Sequence, residues 1–183
     1  MRFTFVDRIV DLQPGVKITT VKCLSLGEEY LADHFPRFPV MPGVLMLQAM
    51  TEAGAWLVRA TDDFAHSIIT LAEARNIRFA DFVQPGRTLT ITAELLQANG
   101  REVQVKTQGI LAGATAVGGR LTLERYNLSD KRPDMAATDE YLKQSLRAQL
   151  AQLYQPDMDL DASGDTPLIA AGSPAVHSTQ HKT

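Results

Sequence analysis

Cysteine is nearly absent from this sequence, which contains one, Cys23, in 183 residues. A single cysteine excludes a disulfide within the chain and fits a reducing compartment. Charge of either sign is modest, and the formal net charge of −3 gives no general electrostatic attraction to nucleic acid. The fractions of hydrophobic (45%) and charged (21%) residues are typical of a globular chain that folds without a disulfide or a metal.

Long hydrophobic runs are missing as well. The longest apolar-rich stretch, residues 44–58, is interrupted by Gln48 and Glu52 and falls short of the roughly 20 residues that span a bilayer. The N-terminal segment carries Arg2 and Asp7, so it lacks the apolar core of a signal peptide. We therefore expect a cytoplasmic protein without a membrane span. No metal-ligand cluster, glycine-rich phosphate loop or Ser/His/Asp triad is recognisable, and no metal is expected.

Apolar patterning divides the chain into three zones. Residues 1–127 are densely patterned and are predicted to form one domain, because 183 residues are too few for two well-grown cores. Residues 136–154 carry a separate helical pattern. Prolines and glycines then punctuate a stretch rich in Asp, Ser and Ala, which buries too little surface to offset its ordering entropy. Residues 155–183 are therefore predicted to be a disordered tail.

Strand signals fill much of the first zone. Polar and apolar residues alternate after Pro85-Gly86, which is the pattern of a strand with one buried face. Asn99-Gly100 is a strong hairpin signal. The predicted strands are residues 16–26, 68–79, 88–96, 102–111 and 115–125.

A long helix is predicted between the first two of these strands. Pro42 suits its first turn, where the missing N–H would have no intrahelical partner. Apolar residues at positions 44–57 spread around most of the circumference and predict an enclosed helix. Gln48 and Glu52 lie one turn apart on one face, where a buried polar pair must be hydrogen-bonded or used. One helix with short-linked strands predicts an α+β fold, a mainly antiparallel sheet packed on the helix.

The helix start carries a specific motif, HFP at residues 34–36, Pro39, and then PGVL at residues 42–45. This motif resembles the signature of the 3-hydroxyacyl-[acyl carrier protein] dehydratases of fatty-acid synthesis. FVDR at residues 5–8 resembles the opening of that family, and the resemblance covers about residues 3–123. It implies a hot-dog fold, in which a curved antiparallel sheet wraps one long central helix, and assembly as dimers or trimers of dimers.

The implied reaction removes water from a 3-hydroxyacyl thioester and gives a trans-2-enoyl thioester, without a cofactor. A base takes the α-proton and an acid protonates the leaving hydroxyl. The resemblance assigns the base to His34 and the N–H that polarises the thioester carbonyl to Gly43. Phe35, Pro42 and Val44 complete the implied substrate-binding set. A turn histidine with a satisfied ring, and a glycine retained for sterics, are the alternatives.

The acid is the main departure from the family pattern. The family has its carboxylate fourteen positions after the histidine, where this chain has Gln48, and commonly a glutamine four positions later, where this chain has Glu52. The two side chains look exchanged along one helical face. A glutamine can hydrogen-bond a hydroxyl or a water but cannot deliver a proton at neutral pH.

Three hypotheses follow from this exchange. In the first, the protein is a dehydratase in which Glu52 replaces the acid, across about 6 Å of helix axis. In the second, the chain supplies His34 to a paralogous subunit that supplies the carboxylate. In the third, it is an acyl-thioester-binding protein or a thioesterase, with Glu52 activating water, since one fold hosts several functions.

Further departures lie near the motif. The family has glycines before the histidine and after HFP, where this chain has Asp33 and Arg37, and an acidic residue after the later Pro-Gly, where it has Arg87. Each is interpreted either as solvated surface or as part of the site. Acyl carrier protein is the implied partner, and because it is typically acidic, the candidate contacts are Arg37, Arg75, Arg78 and Arg87.

The helical pattern at residues 136–154 lies outside the resemblance. Thr138 is predicted to cap this helix, with Asp139 and Glu140 in its first turn. A narrow apolar stripe is predicted to pack on the same chain's sheet or, alternatively, on a neighbouring subunit. The stripe consists of Leu142, Leu146, Leu150 and Leu153.

Overall fold

The computed structural model of the chain describes residues 4–156, so residues 157–183 of the predicted tail lie outside the described part. The strands and helices in chain order are β1 (Arg8–Gln13), β2 (Lys17–Cys23), α1 (Gly43–Thr61), β3 (Ile68–Phe79), β4 (Thr88–Asn99), β5 (Glu102–Leu111), β6 (Ala114–Tyr126) and α2 (Ala136–Leu153). Within residues 4–156, no helix is both long and apolar enough to cross a membrane.

The strands form one antiparallel sheet in the order β1-β2-β4-β5-β6-β3. β5 alternates strictly, with Val103 and Val105 buried and Gln104 and Lys106 exposed, because successive side chains of a strand point to opposite faces. α1 packs on the buried face, mainly against β2, β4, β5 and β6. The predicted α+β class, a helix on an antiparallel sheet, is confirmed.

α1 lies close to the sheet because of one small residue. A Cβ placed on Gly54 would lie 3.1 Å from Leu123 Cδ1 and 3.2 Å from Val105 Cγ2, which is tighter than ordinary van der Waals contact. Glycine inside a helix costs up to ~1 kcal/mol relative to alanine. The close approach of the helix to β5 and β6 offsets that cost through packing.

The prediction that α1 is enclosed is wrong for its first turns. Val44 is 71% exposed, and Gln48 is exposed as well, so in the described chain one side of the first turns faces solvent. From Ala49 to Val58 almost every side chain is buried. The helix begins at Gly43, and Pro42 is its N-cap rather than its first helical residue.

The strand predictions differ from the structure mainly at the N-terminus. β3 and β5 have the predicted bounds, whereas β1 was not predicted at all. β1 is an edge strand with a bulge between Ile9 and Asp11, and Ile9 is its one buried residue. A bulged strand of only six residues leaves too few regular positions for a period-2 pattern to be recognised.

β3 forms the other edge of the sheet, next to β6. Most of its side chains are exposed, including Leu71 at 36% and Phe79 at 52%. An edge strand presents backbone N–H and C=O groups that have no partner in its own sheet.

α2 covers its own chain. Leu146, Leu150 and Leu153 pack against the hydrophobic core, and Tyr154 forms a parallel bridge with Ile9 of β1. The interpretation that the stripe packs on the same chain is confirmed for these three leucines. The contact made by Leu142 stays a prediction.

The start of α2 differs from the prediction. The helix begins at Ala136, so Thr138 lies inside its first turn and caps nothing. Asp139 is buried and accepts hydrogen bonds from the backbone N–H groups of Leu128 and Ser129, both at 2.9 Å, and from the Ser67 hydroxyl. The acidic residue therefore ties α2 to the end of β6 and to the start of β3.

Candidate active site

His34 lies in a tight loop before α1. Val40 N–H donates to the His34 carbonyl at 3.0 Å, and Phe35 and Phe38 exchange N–H to carbonyl bonds of 3.2 and 2.9 Å. The His34–Phe35 peptide is cis, and the two rings stack at 4.2 Å. Backbone pairing thus holds the loop in which the histidine is presented.

The tautomer of His34 follows from its partner. His34 Nδ1 lies 3.0 Å from the Val40 carbonyl oxygen. A carbonyl only accepts, so Nδ1 carries the hydrogen, and the neutral ring keeps a lone pair on Nε2. This arrangement leaves Nε2 able to accept a proton.

The start of α1 directly follows the loop. Met41 N–H donates to the Val83 carbonyl at 2.8 Å, and Leu45 and Met46 N–H donate to the Pro42 carbonyl at 2.9 and 3.1 Å. The first N–H groups of a helix have no intrahelical acceptor, which here concerns those of Gly43 and Val44. They carry the positive end of the helix dipole and can donate to an oxyanion.

Gly43 is the first residue of α1 and lies against Phe79 of β3. A Cβ on Gly43 would lie 3.2 Å from the Phe79 ring. Glycine is therefore favoured here by close approach, and its N–H is at the same time one of the free donors of the helix start. The two interpretations of Gly43 are compatible.

Gln48 and Glu52 form a hydrogen-bonded pair on the exposed side of α1. Gln48 Nε2 donates to Glu52 Oε1 at 3.2 Å, and Phe5 N–H donates to Glu52 Oε2 at 2.9 Å. An ionised carboxylate only accepts, so the amide nitrogen of Gln48 faces Glu52 and its carbonyl oxygen points away. Gln48 therefore presents an acceptor to its surroundings.

The pKa of Glu52 is raised above its usual range because burial disfavours the charged carboxylate. The Phe5 N–H and the Gln48 amide, together with the charges of Arg59 and Lys22, lower it but do not cancel the effect of burial. A raised pKa increases the fraction of Glu52 that carries a proton, which is what a general acid requires.

The motif residues do not form one contiguous site in the single chain. Among residues 4–156, no hydrogen bond or ion pair joins His34 to Gln48 or to Glu52. The structure brings together His34 with Phe35, Gly43 with Phe79, and Gln48 with Glu52.

Comparison with known proteins gives the family. The model of the FabA-like domain matches residues 1–123 of this chain. This chain belongs to the FabA-like family. The predicted resemblance to dehydratases of this kind is confirmed, and α2 lies beyond the matched residues.

Several curated relatives of this FabA-like protein are named 3-hydroxyacyl-[acyl-carrier-protein] dehydratase FabZ. The protein from Ruminiclostridium cellulolyticum is 32% identical over 119 residues, which cover 65% of this chain and 84% of the relative. The protein from Pelotomaculum thermopropionicum is 38% identical over 122 residues, which cover 67% of this chain and 83% of the relative.

Solved structures show the same fold at low identity. The dehydratase heterocomplex ApeI:P from Xenorhabdus doucetiae matches with a TM-score of 0.59 and 16% identity, over 73% of this chain and 90% of that one. The smu.793 protein of Streptococcus mutans, solved with acetyl CoA, matches with a TM-score of 0.54 and 11% identity, over 68% of this chain and 92% of that one. The predicted hot-dog fold is confirmed.

A buried charged cluster near the N-terminus of this FabA-like domain was not predicted. Lys22 is 5% exposed, and its Nζ lies 3.2 Å from Asp7 Oδ1 and 2.9 Å from Glu28 Oε1. Burial raises the pKa of the neighbouring Tyr30 hydroxyl, to which the charges of Glu28 and Asp7 add. The period-2 pattern of β2 was the available signal, because Lys22 shares the phase of the buried Ile18.

The other residues that depart from the family pattern, and the arginines considered for carrier contact, lie mostly on the surface. Asp33 and Arg37 are exposed, and Arg75 pairs with Glu73 at 2.7 Å. Arg87 lines a cavity of about 230 Å³ that is also lined by Phe38 and Phe82. Of the four arginines considered for carrier contact, Arg37 thus lies in the histidine loop and Arg87 beside it.

Proposed function

We propose that this protein dehydrates 3-hydroxyacyl thioesters delivered by acyl carrier protein, giving trans-2-enoyl thioesters in fatty-acid or related lipid or polyketide synthesis. The orientation of His34 carries the proposal, because the Val40 carbonyl holds Nδ1–H and leaves Nε2 as a neutral base. Membership of the FabA-like family supports the same activity, as do relatives named as dehydratases of such substrates. The expected cytoplasmic location is part of the proposal.

In the proposed reaction, His34 Nε2 takes the α-proton and the electron pair of the C–H bond forms the new double bond. The β-carbon–oxygen bond breaks, and the hydroxyl leaves as water once it has received a proton. The Gly43 N–H stabilises the charge that develops on the thioester oxygen. Phe35 and Val44, 51% and 71% exposed, offer apolar surface to the acyl chain beside Pro42.

The proton for the leaving hydroxyl is assigned to Glu52. Its raised pKa increases the protonated fraction, and the Gln48 amide at its side can hydrogen-bond the hydroxyl or a relaying water. Gln48 therefore orients the leaving group in this proposal, and Glu52 supplies the proton.

A second candidate function is that of a subunit without an acid of its own. The observation that favours it is that both oxygens of Glu52 are engaged within the chain, by Phe5 N–H and by Gln48. In that case a paralogous partner supplies the carboxylate. The purified chain would then be nearly inactive, and activity would appear when the partner is added.

Self-association is part of either proposal. The exposed edge of β3 offers unpaired backbone groups, and Leu71 and Phe79 offer apolar surface along it. We propose a dimer, or a trimer of dimers, in which this edge is covered. Sedimentation of the purified protein as a monomer at micromolar concentration would contradict it.

The deciding experiment measures enoyl thioester formation by the native protein and by His34→Ala, Glu52→Gln and Gln48→Glu. We expect His34→Ala to abolish activity and Glu52→Gln to lower kcat by ~10² to 10⁴, the usual contribution of a general acid. Free thiol is measured in parallel, because dehydration releases none and thioester hydrolysis does.

The outcomes separate the candidates. Unchanged turnover of Glu52→Gln would remove Glu52 as the acid, and an inactive native protein that gains activity in Gln48→Glu would favour the subunit that lacks its acid. Activity in His34→Ala equal to the native activity would refute the dehydratase proposal altogether.

A further inference from the structure

A second cleft, of about 580 Å³, lies away from the histidine loop, between β3, β5 and β6. Arg78, Lys106 and Arg120 line it, and all three are exposed. Lys106 lies between the buried Val105 and Thr107 in β5, so it points to the sheet face opposite α1. The cleft therefore opens on the outer face of the sheet.

A β-bulge brings Arg78 to this face. In a regular strand, residues three apart point to opposite faces. Here the register shifts between Arg75 and Arg78, so that Arg75 lies opposite Arg120 and Arg78 lies opposite Gly118. Asn76, inside the bulge, has a φ of 54°. Bulges of this kind re-aim side chains, and this one adds a third cation to the cleft.

Among residues 4–156, the cations of the cleft form no ion pair, although Glu94 of β4 lies opposite Lys106 in the register. Arg120 lies directly opposite Lys106 on β5 and opposite Arg75 on β3. Like charges in direct cross-strand pairs are destabilising. Glu73 neutralises Arg75, but in the part of the chain that the structure describes no ion pair involves Arg78, Lys106 or Arg120. An anion held between the three would relieve the repulsion.

The floor of the cleft is open and polar. Gly118 has no side chain, and it lies between Gln108 on β5 and Arg78 on β3. Gln108 Nε2 donates to the Thr115 hydroxyl oxygen, which leaves the hydroxyl hydrogen of Thr115 as a neutral donor. Cations and neutral donors around an open floor suit a phosphate group.

We propose that this cleft binds a small ligand that carries two or more phosphate charges. The chain as a whole has a net charge of −3, so the three cations are a local feature and not part of a basic surface. The volume of about 580 Å³ lies within the range of small-molecule sites, about 300–1,000 Å³. A concave site of this size favours a small phosphate compound over the flat acidic surface of a protein.

The cleft is separate from the candidate active site. Phe79, the neighbour of Arg78, packs against Gly43 on the α1 side of the sheet. The proposal therefore stands independently of the dehydratase activity and is tested by binding alone.

The test is calorimetric titration of the native protein, at low salt, with inorganic pyrophosphate, ADP and adenosine. We expect pyrophosphate and ADP to bind and adenosine not to bind. Equal affinities for the first two would identify the phosphates as the recognised group, and tighter binding of ADP would identify a nucleotide. Either result supports the cleft.

Two variants locate the binding. The triple variant Arg78→Ser, Lys106→Ser, Arg120→Ser is expected to weaken pyrophosphate binding at least ~10-fold. Its matched control is Arg101→Ser, Lys131→Ser, Arg132→Ser, which removes the same charge from exposed positions elsewhere and should change the affinity less than ~twofold.

A third variant keeps every cation. A Cβ at Gly118 would meet the Thr107 carbonyl at an ordinary 3.4 Å, so Gly118→Asp is sterically admissible. It should abolish binding by placing a negative charge on the floor. Thermal unfolding of each variant checks that it is folded.

Three results would overturn the proposal. The first is no binding of pyrophosphate or ADP to the native protein at millimolar concentration, and the second is equal weakening in the cleft variant and its control. The third is a change of sedimentation in the cleft variant with pyrophosphate binding retained, which would identify a second copy of the chain as the occupant.

Discussion

Asp139→Asn tests whether a single buried carboxylate holds α2 on the domain. The carboxylate is 2% exposed and accepts hydrogen bonds from Leu128 N–H, Ser129 N–H and the Ser67 hydroxyl. Burial alone would raise its pKa, but the hydrogen bonds from Ser129, Ser67 and Leu128 outweigh burial and hold the pKa of Asp139 well below its usual range.

The expected loss of stability follows from the hydrogen bonds that an asparagine side chain cannot accept. Its amide nitrogen replaces one carboxylate oxygen, so at least one backbone N–H loses its acceptor and faces another donor. A buried donor left unsatisfied costs ~1–3 kcal/mol, and the remaining bonds lose the assistance of the charge. We expect Asp139→Asn to lower the free energy of unfolding by ~2–4 kcal/mol at pH 7.

The effect should depend on pH. Because the folded-state pKa of Asp139 is depressed, its stabilisation is fully present above the unfolded pKa of about 3.9 and is lost as the pH falls through the folded value. The difference between the native protein and Asp139→Asn should therefore shrink as the pH is lowered below about 4.

Urea unfolding, followed by Trp56 fluorescence and by far-ultraviolet circular dichroism, measures this difference. Coincident transitions would show that α2 unfolds together with the core. Asp134→Asn, at an exposed position just before α2 with an ion pair to Arg132, is the matched control and should change stability by less than ~1 kcal/mol. A loss below ~1 kcal/mol in Asp139→Asn, or a loss that is unchanged at low pH, would refute the reasoning.

Three further predictions concern the site and its surroundings. Because the pKa of Glu52 is raised in the folded state, the free energy of unfolding of the native protein should fall as the pH rises from the ordinary carboxyl pKa to the raised one. The free energy of unfolding of Glu52→Gln should not show this fall. Gly43→Ala places a Cβ 3.2 Å from the Phe79 ring and should lower kcat/KM at least ~10-fold with little change in Tm; unchanged kinetics would contradict the role of the helix start. Lys22→Met removes the cation from the partly exposed carboxylates of Asp7 and Glu28. Because water can solvate both carboxylates, it should lower the free energy of urea unfolding by only ~1–2 kcal/mol, and an unchanged free energy would contradict a stabilising role of the cluster.

Local sequence signals predicted the longer strands. β3 and β5 have the predicted bounds, since β3 opens on Ile68, Ile69 and Thr70 and β5 follows Asn99-Gly100 with unbroken alternation. β1 was missed, because a bulged strand of six residues leaves too few regular positions for a pattern. The helix start was displaced by one residue, since a proline is equally suited to the N-cap and to the first turn.

The candidate site could be predicted only as a set of residues. The motif placed His34 and Gly43 before and at the helix start, and helical spacing placed Gln48 and Glu52 on one face. Their chemistry depends on hydrogen-bond partners that are not local. The Phe5 N–H that donates to Glu52 is far away in the chain, and the Val40 carbonyl reaches His34 only because the loop closes. No local pattern encodes these contacts.

The sequence by itself determined the α+β class, the family and the candidate site residues, because periodicity, turn residues and a motif are local properties of the chain. The tertiary structure decided the rest. It fixed the tautomer of His34, raised the pKa of Glu52 by burial, made Asp139, predicted as a charge in the first turn of α2, a buried anchor, and gathered three cations from β3, β5 and β6. These properties depend on which distant groups become neighbours, and strand register and packing, not local propensity, determine that.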